Sequence, residues 1–252
     1  MIEKFLSLVL LAALTGCAVG PPVEDTVDDR VESNPWTLAS VQSGRAPDAQ
    51  TRWQHFRLPG KQATSFRFGR NDGRNAMAVH ALASASMLRQ KVDVAPSELS
   101  ELRFSWKVPE LIAQADMALR EADDSPVRIV LAFDGDRSKF SAKNAMLSEL
   151  SHALTGEPMP YATLMYVWCN TRAPGTVIIN PRTDRIRKVV VESGTGNLNR
   201  WLDYERDVRA DFEKAFGEPP GTLIGVGIMT DTDNTQTNVR AWYGPLTLAK
   251  LR

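Results

Sequence analysis

Acidic and amide side chains follow one apolar segment of the sequence at a spacing that suits cation binding. Asp231, Asp233 and Asn234 stand in Asp-Thr-Asp-Asn-Thr, directly after the apolar run 223–230. Calcium prefers such oxygen-rich loops, although Gln236 replaces the glycine that an EF-hand loop needs at its sixth position. The same side chains would equally form a turn by accepting hydrogen bonds from local backbone amides. A structural calcium ion and a polar turn are therefore both compatible with the motif, and the turn is favoured slightly.

A second acidic group, Asp123-Asp124, precedes Arg128 by a few residues. Two carboxylates at a set separation perform acid–base chemistry in glycoside hydrolases. Adjacency in sequence does not fix that separation, and two carboxylates beside an arginine also form an ion-pair network. The network is the favoured interpretation, and an Asp pair for hydrolysis is the alternative.

Tyr166 and Trp168 share one face of an apolar segment that reads as a strand. Exposed aromatic rings at this spacing would stack on sugars, whereas buried ones would belong to the core. We treat Tyr166 and Trp168, with Asp123, Asp124 and Arg128 as polar neighbours, as the candidate ligand-binding residues.

Composition and the lack of known motifs argue against several other kinds of chemistry. Thirty Lys and Arg balance thirty Asp and Glu, so the basic excess of a nucleic-acid-binding protein is missing. The three histidines have no metal-ligand spacing, and no zinc-protease, serine-hydrolase or nucleotide-binding motif occurs. Cys169 lies in an apolar run and is expected to be a small buried side chain.

The N-terminus has the pattern of an export signal. Lys4 precedes the apolar stretch 5–14, which is too short to span a bilayer permanently. Leu14-Thr15-Gly16-Cys17 resembles the lipobox of bacterial lipoproteins, which implies removal of residues 1–16 and acylation of Cys17. The resemblance predicts a lipoprotein anchored in the cell envelope through Cys17. Ala18 indicates the outer membrane, facing the periplasm, in a cell with two membranes.

Residues 17–50 are rich in proline and acid and predict a flexible tether, with Trp36 as a side chain that docks onto the domain. Residues 51–252 form the predicted domain. Short alternating segments such as 102–108 and 127–133, separated by turn residues, predict a β-sandwich. Apolar spacing predicts helices over 199–216 and 141–154, and residues 109–121 suit either a helix or a loop.

Several segments together resemble the DUF3047 family of exported bacterial proteins. They are Trp106, Asp123–Phe133, Tyr166–Trp168, Arg209–Phe212 and Ile228–Thr235, and the resemblance covers about residues 53–250. The family implies no activity. Its layout is similar to jelly-roll, galactose-binding-like domains, so the expected fold is a mainly β jelly-roll sandwich with one or two helices.

The expected function is that of a non-catalytic envelope lipoprotein whose domain binds a polar ligand, namely a glycan or cell-wall saccharide. Two alternatives belong to other classes: a hydrolase of envelope polymers that uses an Asp pair, and a scaffold that binds proteins at the membrane. Facing carboxylates in a cleft would favour the hydrolase, and a broad apolar patch would favour the scaffold.

Overall fold

The structure, a computed structural model, describes residues 31–41 and 52–248. The predicted signal peptide and Cys17 lie outside these ranges. The helices are α1 Pro35–Ala39, α2 Ala142–Thr155 and α3 Val208–Phe216. The strands are β1 Gln54–Arg57, β2 Ser65–Asn71, β3 Arg74–Leu82, β4 Ala85–Val94, β5 Glu101–Lys107, β6 Ser125–Phe133, β7 Ala162–Cys169, β8 Val177–Ile179, β9 Ile186–Ser193, β10 Trp201–Asp207, β11 Leu223–Asp231, β12 Asn238–Tyr243 and β13 Thr247–Leu248.

Two sheets form a sandwich with jelly-roll strand order. One sheet runs β1-β4-β11-β6-β7-β9-β8 and the other runs β10-β5-β12-β3-β2, with β13 against β5. When the eight strands β3, β4, β5, β6, β7, β10, β11 and β12 are counted from one to eight, the sheets read 2-7-4-5 and 6-3-8-1. This order is that of two Greek keys wound into a jelly roll. The predicted mainly β jelly-roll sandwich is therefore confirmed.

Alternation along the strands separates the core from the outer face of the seven-stranded sheet. In β6, Ile129, Leu131 and Phe133 point between the sheets and are fully buried. Arg128 and Val130 point the other way, and Val130 belongs to a second, smaller apolar cluster. The seven-stranded sheet thus carries apolar residues on both faces.

Part of the predicted tether packs against the domain. Trp36 of α1 is fully buried in the main core, as expected for a docking side chain, and its ring centroid lies 4.7 Å from that of Trp53. The N–H of Val41 donates to the carbonyl of Leu246. Within the segment 17–50, residues 31–41 therefore belong to the folded unit.

The helix predicted over 199–216 begins only at Val208. Residues 201–207 form β10 instead, because all seven pair in antiparallel register with β5. The Asp207 side chain then caps α3 by accepting a hydrogen bond from the N–H of Ala210. The helical half of the predicted segment is confirmed, and its Phe212 is fully buried in the core.

Helix α2 is confirmed, but its apolar side chains face solvent. Met146 and Leu150 are 64% and 52% exposed, whereas Asn144 and Ser148 are buried. The polar face is inside because Asn144 donates to Asp184 at 2.7 Å and accepts from Thr183 at 2.8 Å. Residues 109–121 form a loop that ends in a 3₁₀ turn, Arg120–Ala122. No helix within 31–41 or 52–248 is long and apolar enough to cross a membrane.

Candidate functional site

The outer face of the seven-stranded sheet has a closed half and an open half. The loop between β5 and β6 covers the closed half, where Met117 is buried against the sheet. The open half forms a groove. The residues predicted from sequence lie in or beside the closed half or in the core, and none of them lines the groove.

A buried charge cluster fastens the covering loop. Nζ of Lys188 lies 2.6 and 2.7 Å from the two carboxylate oxygens of Asp123 and donates to the carbonyl of Met117 at 3.0 Å. Nη2 of Arg128 donates to Oδ1 of Asp123 at 3.0 Å and to its backbone carbonyl at 2.8 Å. Lys188 is fully buried and Arg128 is 3% exposed. The predicted ion-pair network of Asp123 and Arg128 thus exists, with Lys188 as a member that the sequence did not indicate.

The electrostatics of this cluster are those of a sealed ion pair. Burial, helped by the nearby Arg128 guanidinium and opposed by Asp123, lowers the pKa of Lys188 to about 8. Burial alone would raise the pKa of Asp123, but Arg128 and Lys188 hold it below its ordinary value. Because Lys188 and Arg128 bind both Asp123 and the backbone of the covering loop, the cluster holds the loop in place, and none of its described members lines the groove.

Asp231 belongs to the same cluster and lies beside Ser125, the first residue of β6. Its Oδ1 accepts from the Ser125 N–H at 2.9 Å and from Nη2 of Arg128 at 3.0 Å. Burial raises the pKa of Asp231 to about 7, because the stabilising charge of Arg128 is opposed by Asp124 and Asp123.

Asp124 binds the loop that follows Asp231. One of its oxygens accepts from the N–H and side-chain amide of Asn234, and the other from the N–H and hydroxyl of Thr235, at 2.6–3.2 Å. Asp233 forms an ion pair with Lys61. One oxygen each of Asp124, Asp231 and Asp233 lie within 4.8 Å of one another, which is the kind of cluster that a cation could bind. These bonds have the pattern of the polar turn, and the calcium site stays a prediction.

Tyr166 and Trp168 do not face a ligand. Both point inward between the sheets, with 0% and 1% exposure. Tyr166 stacks on Phe104 with 5.6 Å between ring centroids and donates its hydroxyl to Asp211 at 2.9 Å. Trp168 donates Nε1 to the carbonyl of Gly194 at 3.0 Å. Their predicted stacking on sugar is wrong, because β7 turns this alternate set of side chains into the core.

The open half of the outer face is a groove with a volume of about 440 Å³. Residues from six adjacent strands line it, in the order β1, β4, β11, β6, β7 and β9. Five spacings of about 4.8 Å between strands give it a length of about 24 Å. Its floor is mostly apolar, and it includes Met87, Val130, Ala132, Met165 and Ile186.

Two glycines make the groove deep at its centre. Gly225 and Gly227 are the outward residues of β11 there, and Val226 between them is buried in the core. Glycine weakens a strand interior and often marks a place where a ligand approaches the backbone closely. A Cβ on Gly225 would meet its nearest neighbour, Cβ of Ala132, at 3.5 Å, which is an ordinary van der Waals contact, so a side chain fits here without strain.

Charged side chains form one end of the groove. Both carboxylate oxygens of Glu157 bind the Arg89 guanidinium, at 2.7 and 2.9 Å, and Oε1 also binds Nζ of Lys91 at 2.8 Å. The guanidinium lies over the ring of Phe56, 3.9 Å from its centroid. Arg89 and Lys91 together lower the pKa of Glu157 against the opposing effect of its burial.

The groove residues were missed because single side chains of common types carry little signal. The signal that the sequence does hold is Leu-Ile-Gly-Val-Gly-Ile-Met over 223–229, where glycine takes alternate positions of an apolar strand. Glycines at alternate positions leave part of one face of a strand without side chains. In β11 this part is the centre of the groove.

Comparisons with known proteins give a family and distant structural likenesses. The xyloglucanase domain of NopAA from Sinorhizobium fredii, in complex with cellobiose, is 9% identical, with a TM-score of 0.42 over 79% of this chain and 93% of that one. The family 11 carbohydrate-binding module of Lic26A-Cel5E from Clostridium thermocellum is 10% identical, with a TM-score of 0.38 over 79% and 88%. Endoglucanase 3 of family GH12 from Trichoderma harzianum is 8% identical, with a TM-score of 0.42 over 79% and 90%.

A search of curated proteins found no match. The structural likenesses are distant, and the jelly-roll assignment rests on the strand order above. The family model described as "Protein of unknown function (DUF3047)" matches residues 51–247, which include both sheets and the groove. The chain therefore belongs to the DUF3047 family.

Proposed function

We propose that this protein binds a polysaccharide chain, without cleaving it, in the groove on the outer face of its seven-stranded sheet. The observation that carries the proposal is the shape of the groove: a trough about 24 Å long that crosses six strands over an apolar floor. Sugar rings have apolar C–H faces and polar edges. A flat apolar floor with polar groups at its border suits such a ligand, since binding sites combine apolar walls with a few placed polar groups.

A hydrolase that uses an Asp pair is less well supported. Asp123 and Asp231 both bind Arg128 inside the sealed cluster, so neither carboxylate faces the groove. Among the described residues that line the groove, Glu157 is the carboxylate, and it is shared by Arg89 and Lys91. Two-carboxylate hydrolysis needs a second acid across the ligand.

The proposal places the domain in the cell envelope, on the sequence evidence of the lipobox ending at Cys17. An envelope protein with a lipid anchor meets saccharide polymers at high local density. A groove open to solvent gives modest affinity for one site, and many anchored copies would add avidity.

The test is a screen of the full-length protein on an array of plant, fungal and bacterial polysaccharides, followed by calorimetric titration of each hit. We expect saturable binding without release of reducing ends. Absence of saturable binding to every polysaccharide on the array would contradict the proposal, and release of reducing ends would support the hydrolase instead.

A further inference from the structure

We infer that the polysaccharide bound by this groove is acidic and that its negatively charged substituents lie against Arg89, Lys91 and Arg137. This inference rests on the proposed function and names the class of polymer. It starts from the charges of the side chains that line the groove.

Three cations and one carboxylate line the groove among the described residues. Arg89, Lys91 and Arg137 are positive and Glu157 is negative, which leaves a net charge of two. The whole chain has a net charge of zero, so the groove differs in charge from the protein as a whole. A groove lined by one sign of charge raises the local concentration of oppositely charged ligands.

The single carboxylate does not neutralise its neighbours. Glu157 already binds Arg89 through both oxygens, and Lys91 shares one of those oxygens while its side chain stays 54% exposed. Nε of Arg89 is buried without a hydrogen-bond partner among the described residues. Arg137 contacts Ser148 at 3.3 Å and lies 3.9 Å from Asp134, at the long limit of an ion pair. A negatively charged group on the ligand would balance the positive charge of these residues.

A second cavity adjoins the groove at this charged end. It has a volume of about 440 Å³ and shares Phe56, Arg89 and Thr155 with the groove. The described residues that line it include no carboxylate. A polymer that leaves the groove past Arg89 would therefore continue over a surface that does not repel negative charge.

The inference is tested with pairs of polymers that share a backbone. One pair is polygalacturonate with its carboxyl-reduced form, and the other is dextran phosphate with dextran. The first pair tests recognition of carboxylates and the second tests recognition of phosphates. We expect the full-length protein to bind at least one acidic member more tightly than its neutral partner, and the preference to shrink as salt rises from about 0.05 to about 0.5 M.

Variants that remove one charge each show which side chains cause the preference for acidic polymers. Lys91→Gln and Arg137→Gln should each weaken acidic binding about two- to fivefold, the range of a solvent-exposed ion pair, so that the ratio of acidic to neutral affinity falls. Glu157→Gln should strengthen acidic binding, because it removes the competing carboxylate. Lys143→Gln is the matched control, since this exposed lysine of α2 does not line the groove.

Some outcomes overturn this inference alone, and another overturns the proposed function as well. Equal or tighter binding of the neutral member in both pairs overturns this inference and leaves the proposed function standing. Equal binding of polyglutamate overturns it as well, because the groove would then select charge and not saccharide. No binding of any polysaccharide in these pairs or on the array overturns the proposed function and this inference together.

Discussion

Nη1 of Arg128 lies 3.8 Å from the sulfur atom of Met165, and this contact joins the two halves of the outer face. Arg128 belongs to the sealed charge cluster, whereas Met165 forms part of the groove floor. The cluster that fastens the covering loop therefore also supports one end of the groove. Truncating a member of the cluster should therefore disturb both the stability of the fold and binding in the groove. The effect of pH on the cluster is best measured as the free energy of unfolding, which needs no ligand.

Asp231 should make the protein less stable as the pH rises from about 4 to about 7. Its pKa is raised to about 7 in the folded protein from an ordinary value of 3.8. Between these values the unfolded chain has lost the proton while the folded protein keeps it, so a rise in pH favours unfolding.

Urea denaturation at about pH 4.5 and about pH 7.5 measures this loss of unfolding free energy. Asp231→Asn should reduce the difference, whereas Asp203→Asn, at an exposed ion pair with Arg74, should not. A difference that is the same in wild type and Asp231→Asn would contradict the assigned role.

Phe212 should be a major contributor to stability. Its ring lies 4.7 Å from that of Phe133 and 4.4 Å from that of Phe216, and the side chain is fully buried. Phe212→Ala should lower the free energy of unfolding by about 3–5 kcal/mol. Phe68→Ala, at a position 39% exposed, is the control and should cost much less. Equal losses from the two variants would show that α3 does not pack as described.

The fold was more predictable than the site, and the two helical segments show why. Residues 201–207 have apolar side chains at a spacing that suits a helix, but seven backbone pairings with β5 override that preference. In α2 the apolar side chains share one face, which is usually the buried one, but hydrogen bonds of Asn144 to Asp184 and Thr183 turn the polar face inward. Both errors come from long-range contacts, which periodicity does not contain.

The prediction of Tyr166 and Trp168 as ligand-binding residues failed for a related reason. Period two shows that Tyr166 and Trp168 share a face of β7, but it does not say which face is covered by the second sheet. The ionic network predicted for Asp123 and Arg128 is present, but Asp124 binds Asn234 and Thr235 instead, and Asp231, predicted as a cation ligand, joins the network. Lys188, the partner that closes it, lies in β9, more than 60 residues further along the chain.

Removal of divalent cations should leave the melting temperature unchanged. Both oxygens of Asp124 already accept hydrogen bonds from Asn234 and Thr235, and Asp233 pairs with Lys61. A cation bound to the native state alone would raise the melting temperature by mass action. A thermal melt with chelator and with added calcium measures this. A rise with calcium that disappears in Asp231→Ala and Asp233→Ala would establish the calcium site instead.

Lipid anchoring should depend on the thiol of Cys17. Cys17→Ser should abolish labelling by radioactive palmitate in growing bacteria and leave the chain uncleaved at this site. Cys169→Ser is the control, because Cys169 is buried in the folded domain and should not affect labelling. Continued labelling of Cys17→Ser would contradict the envelope assignment.

The most direct test of the account is to fill the groove at its centre. Gly225→Leu places a side chain over the floor, where a Cβ meets only ordinary contacts. Gly69→Leu, in β2 of the other sheet with nothing within 4 Å of its Cβ, is the matched control. Calorimetric titration with a polysaccharide that binds wild type should show saturable binding lost in Gly225→Leu and retained in Gly69→Leu, with both variants folded by circular dichroism. Unchanged affinity in a folded Gly225→Leu would contradict the claim that this groove is the binding site.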